Sequence, residues 1–588
     1  MMRTSNCGQL DLKALDRDVT LTGWVNTYRD HGDLIFIDLR DRWGVTQVVF
    51  NKAESEELHK IAQTLRPEFV VLVRGLVHKR PEGTINKKIL TGEIEVHAKV
   101  IEILNSCPTP PFEIGEKGVN EELRLKYRFI DLRSKEMVEA LTFRYRVTKI
   151  VRDFLDTQGF LEIETPTMTR STPGGARDFL VPSRQNPGTF YALPQSPQLF
   201  KQLLMVAGYD RYFQLAHCFR DEDSRGDRQP EHTQIDLEMS FVDQEDVMGV
   251  VEGMIADAFE KALGVKFQRP FLRMPYDEAM SRYGSDKPDL RFGLELHDLS
   301  AVFENCGFKI FDECLANKGK IRGVCFTPPA GKEFSRKHFD DLTQFIQNFG
   351  AKGLAWMKVT GSDKVESPIG KFFDAAKTAK IISALGAKAG DNIYMVASDP
   401  HTSAVALGAL RCKLAEDYLE LKHNDFKILW VKDFPLFEWN AEEKHCQALH
   451  HPFTSPRVED MKLIETEPLK VKARAYDLVL NGTEIGGGSI RIHSREVQEK
   501  VFKALGISDE EAESKFGFLL KALSFGAPPH GGLAIGLDRL ITLMIGRESI
   551  REVIAFPKNQ KGICPMTEAP GEVTAKQLKE LHIQVKLE

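Results

Sequence analysis

The sequence predicts a protein of several domains: a small β-barrel at the N-terminus, then a larger domain of mixed helices and strands that an inserted α/β domain interrupts. Three observations predict this arrangement. Residues 1–105 consist largely of short runs in which apolar and polar residues alternate, residues 106–118 are rich in Pro and Gly, and residues 286–420 are rich in Ala, Gly and Lys. A chain of 588 residues is long enough to bury a core in each domain.

The first domain has the element order of a five-stranded OB barrel. Three runs with the period of a strand, VTLTGWVNTYR, LIFIDLRDR and VTQVVFN, precede a helical stretch, AESEELHKIAQTL. Two further strands follow, FVVLVRGLVHK and EIEVHAKVIEIL. Three strands, a helix and two strands is the OB order, and OB barrels often bind oligonucleotides. The pattern alone supports a purely structural barrel equally well.

The rest of the chain begins with a long amphipathic helix, ALTFRYRVTKIVRDFLDTQG, for which Gly159 is a C-cap, and a strand that ends at Pro166. After the insert, the segment FKILWVKDFPLF again has the apolar residues that are typical of a protein core. The predicted domains are the barrel 1–105, a hinge 106–137, a first part of the larger domain 138–285, the insert 286–420, a second part of the larger domain 421–560 and a C-terminal extension 561–588.

Composition excludes several classes of protein. The chain has no apolar run of membrane-spanning length, and its polar N-terminus lacks the apolar segment of a signal peptide. Its nine cysteines are scattered without a CxxC pair, which predicts reduced thiols in the cytoplasm and neither a disulfide framework nor a structural zinc site. A net charge of −6 argues against a small non-specific nucleic-acid binder, but leaves room for a local basic patch.

Four stretches carry charged residues within otherwise apolar sequence. They are CFRDEDSRGDRQPEHTQIDLEMSF, LPQSPQLFKQLLM, LNGTEIGGGSIRIHS and HGGLAIGLDRLITLM. Each could be a structural ion pair by itself, but four together indicate one polar site lined by apolar elements. Arginines suit phosphate oxygens, carboxylates suit magnesium, and the glycines 486–488 let a ring or ribose approach the backbone. The inferred ligand is an Mg-nucleotide, and the absence of GxxxxGK[ST] excludes a P-loop.

These motifs resemble those of class II aminoacyl-tRNA synthetases. FRDE (219–222), GLDRL (536–540) and the helix and strand ending at Pro166 resemble motifs 2, 3 and 1 of that class. QSPQLFKQLLM, HHPFTSP, EIGGGSIRIH and IREVIAFPKNQKG…MTEAP are similar to the bacterial aspartyl-tRNA synthetases, in the same order along nearly the whole chain. The resemblance implies an α+β catalytic domain built on an antiparallel sheet, an anticodon-binding barrel and a homodimer.

The implied reaction has two steps. L-Aspartate and ATP form aspartyl-adenylate and pyrophosphate, and the aspartyl group then passes to the 3′-terminal adenosine of tRNA. Arg220, Arg539 and Glu484 are the implied catalytic residues, and Asp477 and Glu484 would hold Mg²⁺. The implied ATP-binding residues are Arg220, Asp221, Glu222, Gln229, Glu484, Gly536, Leu537, Asp538 and Arg539.

In the implied amino-acid pocket, Lys201 and Arg491 are two cations without an assigned structural partner, and both would pair with the substrate's side-chain carboxylate. The implied aspartate-binding residues are Ser196, Gln198, Leu199, Phe200, Lys201, Arg220, Asp236, His450 and Arg491. Two positions depart from the family. Gly174 replaces a loop glutamate that helps to hold the substrate ammonium, and His232 stands where some members have an adenine-stacking phenylalanine.

The barrel is the implied anticodon-binding domain. Phe36 would stack on a base, although barrel core is an alternative for it, and Arg29 and Gln47 would contact base edges or phosphate. His31 in RDHG and Gly83 in RPEG match the relaxed members of the family, which aspartylate tRNA(Asn) as well as tRNA(Asp). The alternatives are a strictly discriminating enzyme, an asparaginyl-tRNA synthetase and a non-catalytic tRNA-binding relative.

Overall fold

A computed structural model describes residues 2–171, 177–222 and 226–586. Two compact units divide the chain. The first comprises Met1–Thr142, Ala555–Asn559 and Ile563–Pro570, and the second comprises Phe143–Ile554, Gln560–Gly562 and Gly571–Glu588. The stretch predicted as a hinge, 106–137, thus belongs to the first unit, and the segment predicted as a C-terminal extension, 561–588, contributes to both.

Among its described residues, the first unit contains a closed barrel of five strands. Its strands are β1 (Asp18–Asp30), β2 (Leu34–Asp41), β3 (Gly44–Asn51), β4 (Val70–Lys79) and β5 (Ile94–Asn105), in the order β1-β2-β3-β5-β4. Its helices are α1 (Glu56–Ala62), α2 (Glu121–Lys126) and α3 (Arg128–Asp131). The predicted OB barrel is therefore confirmed.

Strand β2 shows how alternation builds this barrel. Ile35, Ile37 and Leu39 have no exposed surface and belong to the barrel core. Phe36 lies between them in sequence, is only partly buried, and so points to the opposite, outer face. The alternative that Phe36 is barrel core is wrong.

Helices and strands follow in the second unit up to residue 283. They are α4 (Lys135–Thr157), β6 (Leu161–Glu162), β7 (Leu180–Pro182), β8 (Phe190–Ala192), α5 (Gln198–Val206), β9 (Arg211–Phe219), β10 (Glu231–Ser240), α6 (Gln244–Leu263), β11 (Leu272–Pro275) and α7 (Tyr276–Tyr283). The boundary between the units falls within α4. Gly159 follows α4 with φ +77°, as a C-cap requires, but β6 ends at Glu162 and not at Pro166.

The inserted segment has its own sheet. Its elements are β12 (His297–Asp298), α8 (Lys309–Ala316), β13 (Lys320–Phe326), α9 (Arg336–Gln347), β14 (Ala355–Val359), β15 (Val365–Glu366), α10 (Ala375–Ala384), β16 (Asn392–Ser398) and α11 (Pro400–Tyr418). In the described residues the order is β12-β13-β16-β14-β15, and every pair is antiparallel. The insert is thus a layered helix-and-sheet domain without parallel βαβ units.

Residues 428–580 complete the large domain. Their elements are β17 (Ile428–Lys432), β18 (Phe437–Asn440), β19 (His445–Ala448), β20 (Ala475–Leu480), β21 (Thr483–Ile490), α12 (Arg495–Ala504), α13 (Asp509–Leu523), β22 (His530–Gly536), α14 (Leu537–Ile545) and α15 (Ala575–Glu580). Within the described ranges an eight-stranded sheet has the order β11-β17-β20-β21-β22-β10-β9-β6. It is antiparallel except for its two outermost pairs, β11–β17 and β6–β9.

One face of this large sheet is apolar and the other carries charge. Ile235, Leu237 and Met239 of β10 pack with residues of α4, α6 and α14 in the main core. Asp236 and Glu238 alternate with them, so they point to the opposite face although both are completely buried. This opposite face holds the candidate site.

The nine cysteines, all of which lie in the described ranges, are free thiols. No helix in the described part of the chain combines the length and the apolar composition needed to cross a bilayer.

Candidate active site and nucleic-acid interface

A cavity of about 480 Å³ lies on the charged face of the large sheet. Its walls come from the β9–β10 hairpin, β21, β22 and the first turns of α5 and α14. The four charged stretches of the sequence therefore converge on one site. The predicted residues that line the cavity are Ser196, Gln198, Lys201, Arg220, Glu222, Gln229, His232, Asp236, His450, Glu484, Arg491, Gly536, Asp538 and Arg539.

Two cations and two carboxylates form a buried quartet in the cavity wall. Lys201 Nζ donates to Asp236 Oδ1 at 2.7 Å and lies 3.4 Å from Glu238 Oε2. Arg491 donates to Glu238 through Nε at 2.9 Å and through Nη2 at 3.2 Å. The expectation that Lys201 and Arg491 lack structural partners is wrong, because Asp236 and Glu238, which lie on one face of β10, pair with them.

Glu238 is ionised in this quartet. Burial disfavours its charged form, but Arg491 and then Lys201 outweigh burial and hold its pKa below the ordinary value. Gly532, directly opposite on β22, makes room for the carboxylate, since a Cβ there would overlap it. The space that Gly532 leaves thus allows the Glu238 carboxylate to lie between the cations of Lys201 and Arg491.

Hydrogen bonds from Arg491 fix the rest of this wall. Its Nη1 donates to Ser489 Oγ at 2.7 Å and to His451 Nε2 at 2.9 Å. Burial first, and Arg491 second, lower the pKa of His451 well below the ordinary value. A neutral His451 can accept this hydrogen bond, whereas an imidazolium could not.

Several polar atoms of the cavity lack a hydrogen-bond partner among the described residues. Asp236 Oδ2 and Arg220 Nε are buried and make no hydrogen bond within the described structure. Lys201 and Arg491 each keep an N–H after the contacts above, because an ammonium has three and a guanidinium has five. Buried polar groups without partners are costly, so these atoms are suited to a ligand that supplies both a cationic and an anionic group.

Asp477 and Glu484 lie side by side on β20 and β21. Asp477, followed by burial, raises the pKa of Glu484, because two carboxylates close together resist joint ionisation. Asp477 Oδ1 is buried and makes no hydrogen bond to a described residue, and His450 Nε2 lies 3.4 Å away from it. Burial lowers the pKa of His450, but Asp477 more than compensates and raises it.

This carboxylate pair fits Mg²⁺ that is bound together with a polyphosphate. Magnesium takes oxygen ligands and commonly binds through one or two carboxylates and substrate phosphates. In the described residues no group of three or more His, Cys, Asp or Glu could hold a metal ion without further ligands. Two carboxylates would therefore need phosphate oxygens and water to complete the coordination.

The predicted ATP-binding residues differ in how far their side chains are exposed and already engaged by other residues. Arg539 donates to the Glu484 carbonyl at 2.7 Å and to Asp227 at 3.4 Å, and its side chain remains partly exposed. Asp538 is buried, pairs with Arg144 and accepts the Thr233 backbone N–H at 2.9 Å. The carboxylate of Asp538 therefore anchors the hairpin and the start of α14.

Other predicted residues do not line the cavity. Leu537 packs in the main core, and Leu199 packs against the cluster around Phe453 and Phe516. The further residues outside the cavity wall are Phe200, Asp221 and Asp477. Gly174 lies outside the described residues.

His232 lines the cavity next to Arg220. Burial, with a smaller contribution from Arg220, lowers its pKa to about 4, so its ring is neutral at neutral pH. A neutral flat ring is suited to stacking on a base, which is the role of the phenylalanine that some family members have at this position.

Residues that the sequence analysis missed complete the wall. They are Asp227, Arg228, Gln234, His451, Thr454, Ile485, Ser489, Ala534 and Ile550, with Glu238 behind them. Gln234 and Glu238 could have been found from strand period, since they flank Asp236 at two-residue spacing.

The outer face of the barrel carries a second candidate site. Arg29 forms a bidentate pair with Asp38 at 3.1 Å and 3.1 Å, and donates to Gln47 Oε1 at 3.1 Å. The rings of Phe36 and His31 meet edge to face at 5.7 Å. Gly83 has φ +89°, and a Cβ at this position would meet no atom within 4 Å. These residues leave an aromatic and polar surface of the kind that binds single-stranded nucleic acid.

Comparisons with known proteins agree with this geometry. Residues 120–560 match the family described as tRNA synthetases class II (D, K and N), and residues 19–104 match an OB-fold nucleic acid binding domain. A protein of Desulfatibacillum aliphaticivorans named Aspartate--tRNA(Asp/Asn) ligase is 54% identical, over 100% of this chain and 98% of that protein. One of Moorella thermoacetica with the same name is 54% identical, over 99% and 96%.

A solved structure, asparaginyl-tRNA synthetase from Pyrococcus horikoshii complexed with asparaginyl-adenylate, aligns with a TM-score of 0.60 at 19% identity, covering 95% of this chain and 98% of that chain. At this identity the likeness shows the fold. The family match and the full-length relatives show more: the chain belongs to the class II tRNA synthetases of the D, K and N group.

Proposed function

We propose that this protein attaches L-aspartate to tRNA(Asp) and also to tRNA(Asn). The observation that carries the proposal is the buried quartet with its remaining polar atoms. An aspartate side-chain carboxylate would accept the remaining N–H groups of Lys201 and Arg491, and the substrate ammonium would donate to Asp236 Oδ2. The names of the close relatives support the same substrate.

Asparagine fits this pocket poorly. Its side-chain NH₂ would place donors against the N–H donors of Lys201 or Arg491, and one of those cations would lose an acceptor. A site built to hydrogen-bond one group rejects an analogue that leaves its buried polar atoms unpaired. The pocket therefore favours aspartate over asparagine.

In the first step the α-carboxylate of aspartate attacks the α-phosphorus of ATP, and pyrophosphate leaves. The nucleophile is already ionised, so positioning and charge stabilisation dominate. Arg220 would hold the α-phosphate, with its buried Nε as an available donor, and Arg539 would hold the γ-phosphate. Mg²⁺ at Asp477 and Glu484 would supply charge neutralisation for the polyphosphate.

In the second step a hydroxyl of the 3′-terminal ribose of tRNA attacks the adenylate carbonyl, and AMP leaves. Arg220 would again stabilise the charge on the phosphate of the leaving group. The barrel would bind the anticodon through Phe36, Arg29 and Gln47.

The test is aminoacylation of purified tRNA(Asp) and tRNA(Asn) transcripts with labelled aspartate, beside aspartate-dependent ATP–pyrophosphate exchange. We expect exchange and label on both tRNAs. Label on tRNA(Asp) alone would indicate a strictly discriminating enzyme, and exchange with asparagine in place of aspartate would overturn the substrate. Absence of exchange with either amino acid would favour a non-catalytic tRNA-binding protein.

We predict that His31→Leu lowers charging of tRNA(Asn) relative to tRNA(Asp). His31 is exposed beside Phe36 on the proposed anticodon face, and contacts to one base typically decide about 1–3 kcal/mol, so the ratio of the two kcat/KM values should fall roughly 10-fold. The measurement is kcat/KM for each transcript. His401→Leu, in the insert, is the matched control, and an unchanged ratio in His31→Leu would refute the role of His31.

We also propose a homodimer in the cytoplasm, where its substrates tRNA and ATP are found. The edge strand β6 exposes both its residues, Leu161 is 52% exposed, and Tyr145 on α4 is 68% exposed. An exposed edge strand with apolar neighbours is typical of an interface. Light scattering should give twice the 66.4 kDa of one chain, and a monomer mass would contradict the proposal.

A further inference from the structure

A row of polar side chains crosses the outer face of the barrel beyond the predicted anticodon residues. Gln47 Nε2 donates to Glu95 Oε2 at 2.9 Å, and His97 Nε2 lies 3.1 Å from Glu95 Oε1. His97 Nδ1 lies 3.3 Å from Glu54 Oε1. With the Arg29 contacts, the row runs without a break over β2, β1, β3, β5 and the turn before α1. We call these six residues the polar row: Asp38, Arg29, Gln47, Glu95, His97 and Glu54.

The polar row fixes which way the Gln47 amide points. Its oxygen accepts from Arg29 at 3.1 Å and its nitrogen donates to Glu95 at 2.9 Å. A flipped amide would face donor to donor and acceptor to acceptor, so one orientation is enforced. Gln47 is 8% exposed, which leaves it little freedom to rearrange. The lone pair and the N–H that remain are therefore held in one fixed pattern.

Glu95 depends in turn on His97. One carboxylate oxygen of Glu95 is used by Gln47 and the other by His97. Both ring nitrogens of His97 face carboxylate oxygens, which only accept hydrogen bonds. A neutral imidazole has a single N–H and can satisfy one carboxylate, whereas the imidazolium satisfies both.

The surroundings of His97 favour the imidazolium. The hydrogen bond with Glu95 raises its pKa, burial opposes this, and Glu54 adds to the increase, so that the pKa lies above the ordinary value. The ring centroid of His78 on β4 is 4.3 Å from that of His97, and Arg80, which follows β4, interacts electrostatically with Glu95.

We propose that His97 is a positioning residue for tRNA recognition: as the imidazolium it holds Glu95, which orients the Gln47 amide for the anticodon. The proposal rests on the proposed function of the barrel face. Because the imidazolium is lost as pH rises through its raised pKa, the orientation of Glu95 and Gln47 weakens on the alkaline side. As a consequence, the KM for tRNA increases with pH. The kcat for tRNA charging and the rate of aspartyl-adenylate formation do not change with the protonation of His97.

The test measures KM and kcat for tRNA(Asp) charging from about pH 6 to about pH 9, which brackets the ordinary His pKa. In the unmodified protein we expect KM to rise about fivefold or more with an inflection above the ordinary His pKa. His97→Gln should have a KM that is high and nearly independent of pH. Glu54→Gln leaves Glu95 and Gln47 in place but removes one carboxylate from His97, so its inflection should move to lower pH.

Controls separate this role from a structural one. Glu57→Gln, an exposed neighbour on α1, should keep the profile of the unmodified protein. Aspartate-dependent ATP–pyrophosphate exchange, which needs no tRNA, should be equal in all four proteins at each pH. If exchange is normal and the KM profiles of Glu54→Gln and the unmodified protein coincide, the role of His97 is refuted and the proposed function stands. If no exchange occurs in any of them, the proposed function itself fails.

Discussion

Arg491→Lys is expected to lower kcat/KM for aspartate in ATP–pyrophosphate exchange by about 100-fold or more, with a folded protein. Arg491 donates to Glu238, Ser489 and His451 and keeps one N–H for the proposed substrate carboxylate. A lysine ammonium has three donors without the planar fork, so it cannot keep all these contacts and also reach the substrate. The buried Glu238 carboxylate is expected to keep the lysine ammonium, so the contact with the substrate carboxylate is the one that is lost.

Arg491→Ala is a poorer test because it is also expected to destabilise the fold. Arg491 is 2% exposed and Glu238 is 0% exposed, so the truncation removes the ion pair of a buried carboxylate, which among the described residues keeps Lys201 as its salt-bridge partner. Removing one partner of a buried pair typically costs about 3–5 kcal/mol, and we expect a clear fall in Tm for this variant. The lysine variant keeps the charge and avoids that loss.

Arg474→Lys is the matched control, since Arg474 makes an ion pair with Asp243 at 3.1 Å and does not line the cavity. Its exchange rate should be close to that of the unmodified protein. Near-normal exchange in Arg491→Lys, measured with saturating ATP, would remove Arg491 from the amino-acid pocket.

Local pattern predicted much of this fold. The barrel was predicted from alternation and element order, because period-two burial on β2 and its neighbours gives each strand one apolar face that packs into a shared core. The convergence of four charged stretches was also predictable, since charges in apolar text must meet partners or ligands. Gly159 ends its helix as predicted because φ +77° favours glycine.

Pairings between distant residues were not predictable from local pattern. Glu238 and Arg491 are 253 positions apart and meet only because β10, β22 and β21 are neighbours in the sheet. In the insert, strand partners such as β13 and β16 are far apart in sequence, and composition alone does not distinguish antiparallel from parallel pairing. The contact between His97 and Glu54 likewise depends on a fold that brings β5 next to the turn before α1, whereas His97 and Glu95 are only two residues apart on β5.

Glu484→Gln is expected to lower aspartate-dependent exchange by about 100-fold or more and, at the same time, to raise the Tm of the protein without ligands. The activity falls because one of the two carboxylates proposed to hold Mg²⁺ with ATP is lost. The stability rises because Asp477, with burial, raises the pKa of Glu484 in the folded protein. For an acid with a raised folded pKa, stability falls as pH rises through the interval between the unfolded and folded values, so at neutral pH ionised Glu484 destabilises the fold.

Addition of Mg²⁺ and ATP should reverse the order of the two proteins in thermal unfolding. A ligand that binds only the folded state raises Tm, and the unmodified protein should gain more because its carboxylate pair is relieved by the cation. Glu496→Gln, an exposed carboxylate on α12 that pairs with Lys500 at 3.3 Å, is the control and should leave exchange unchanged. A Glu484→Gln variant that is less stable without ligands would show that the repulsion from Asp477 is absent in the folded protein. Aspartate-dependent exchange at the rate of the unmodified protein in Glu484→Gln would show that Glu484 does not hold the metal ion. The predicted combination, higher stability with lower activity, is expected where a fold holds two like charges together for a ligand that neutralises them.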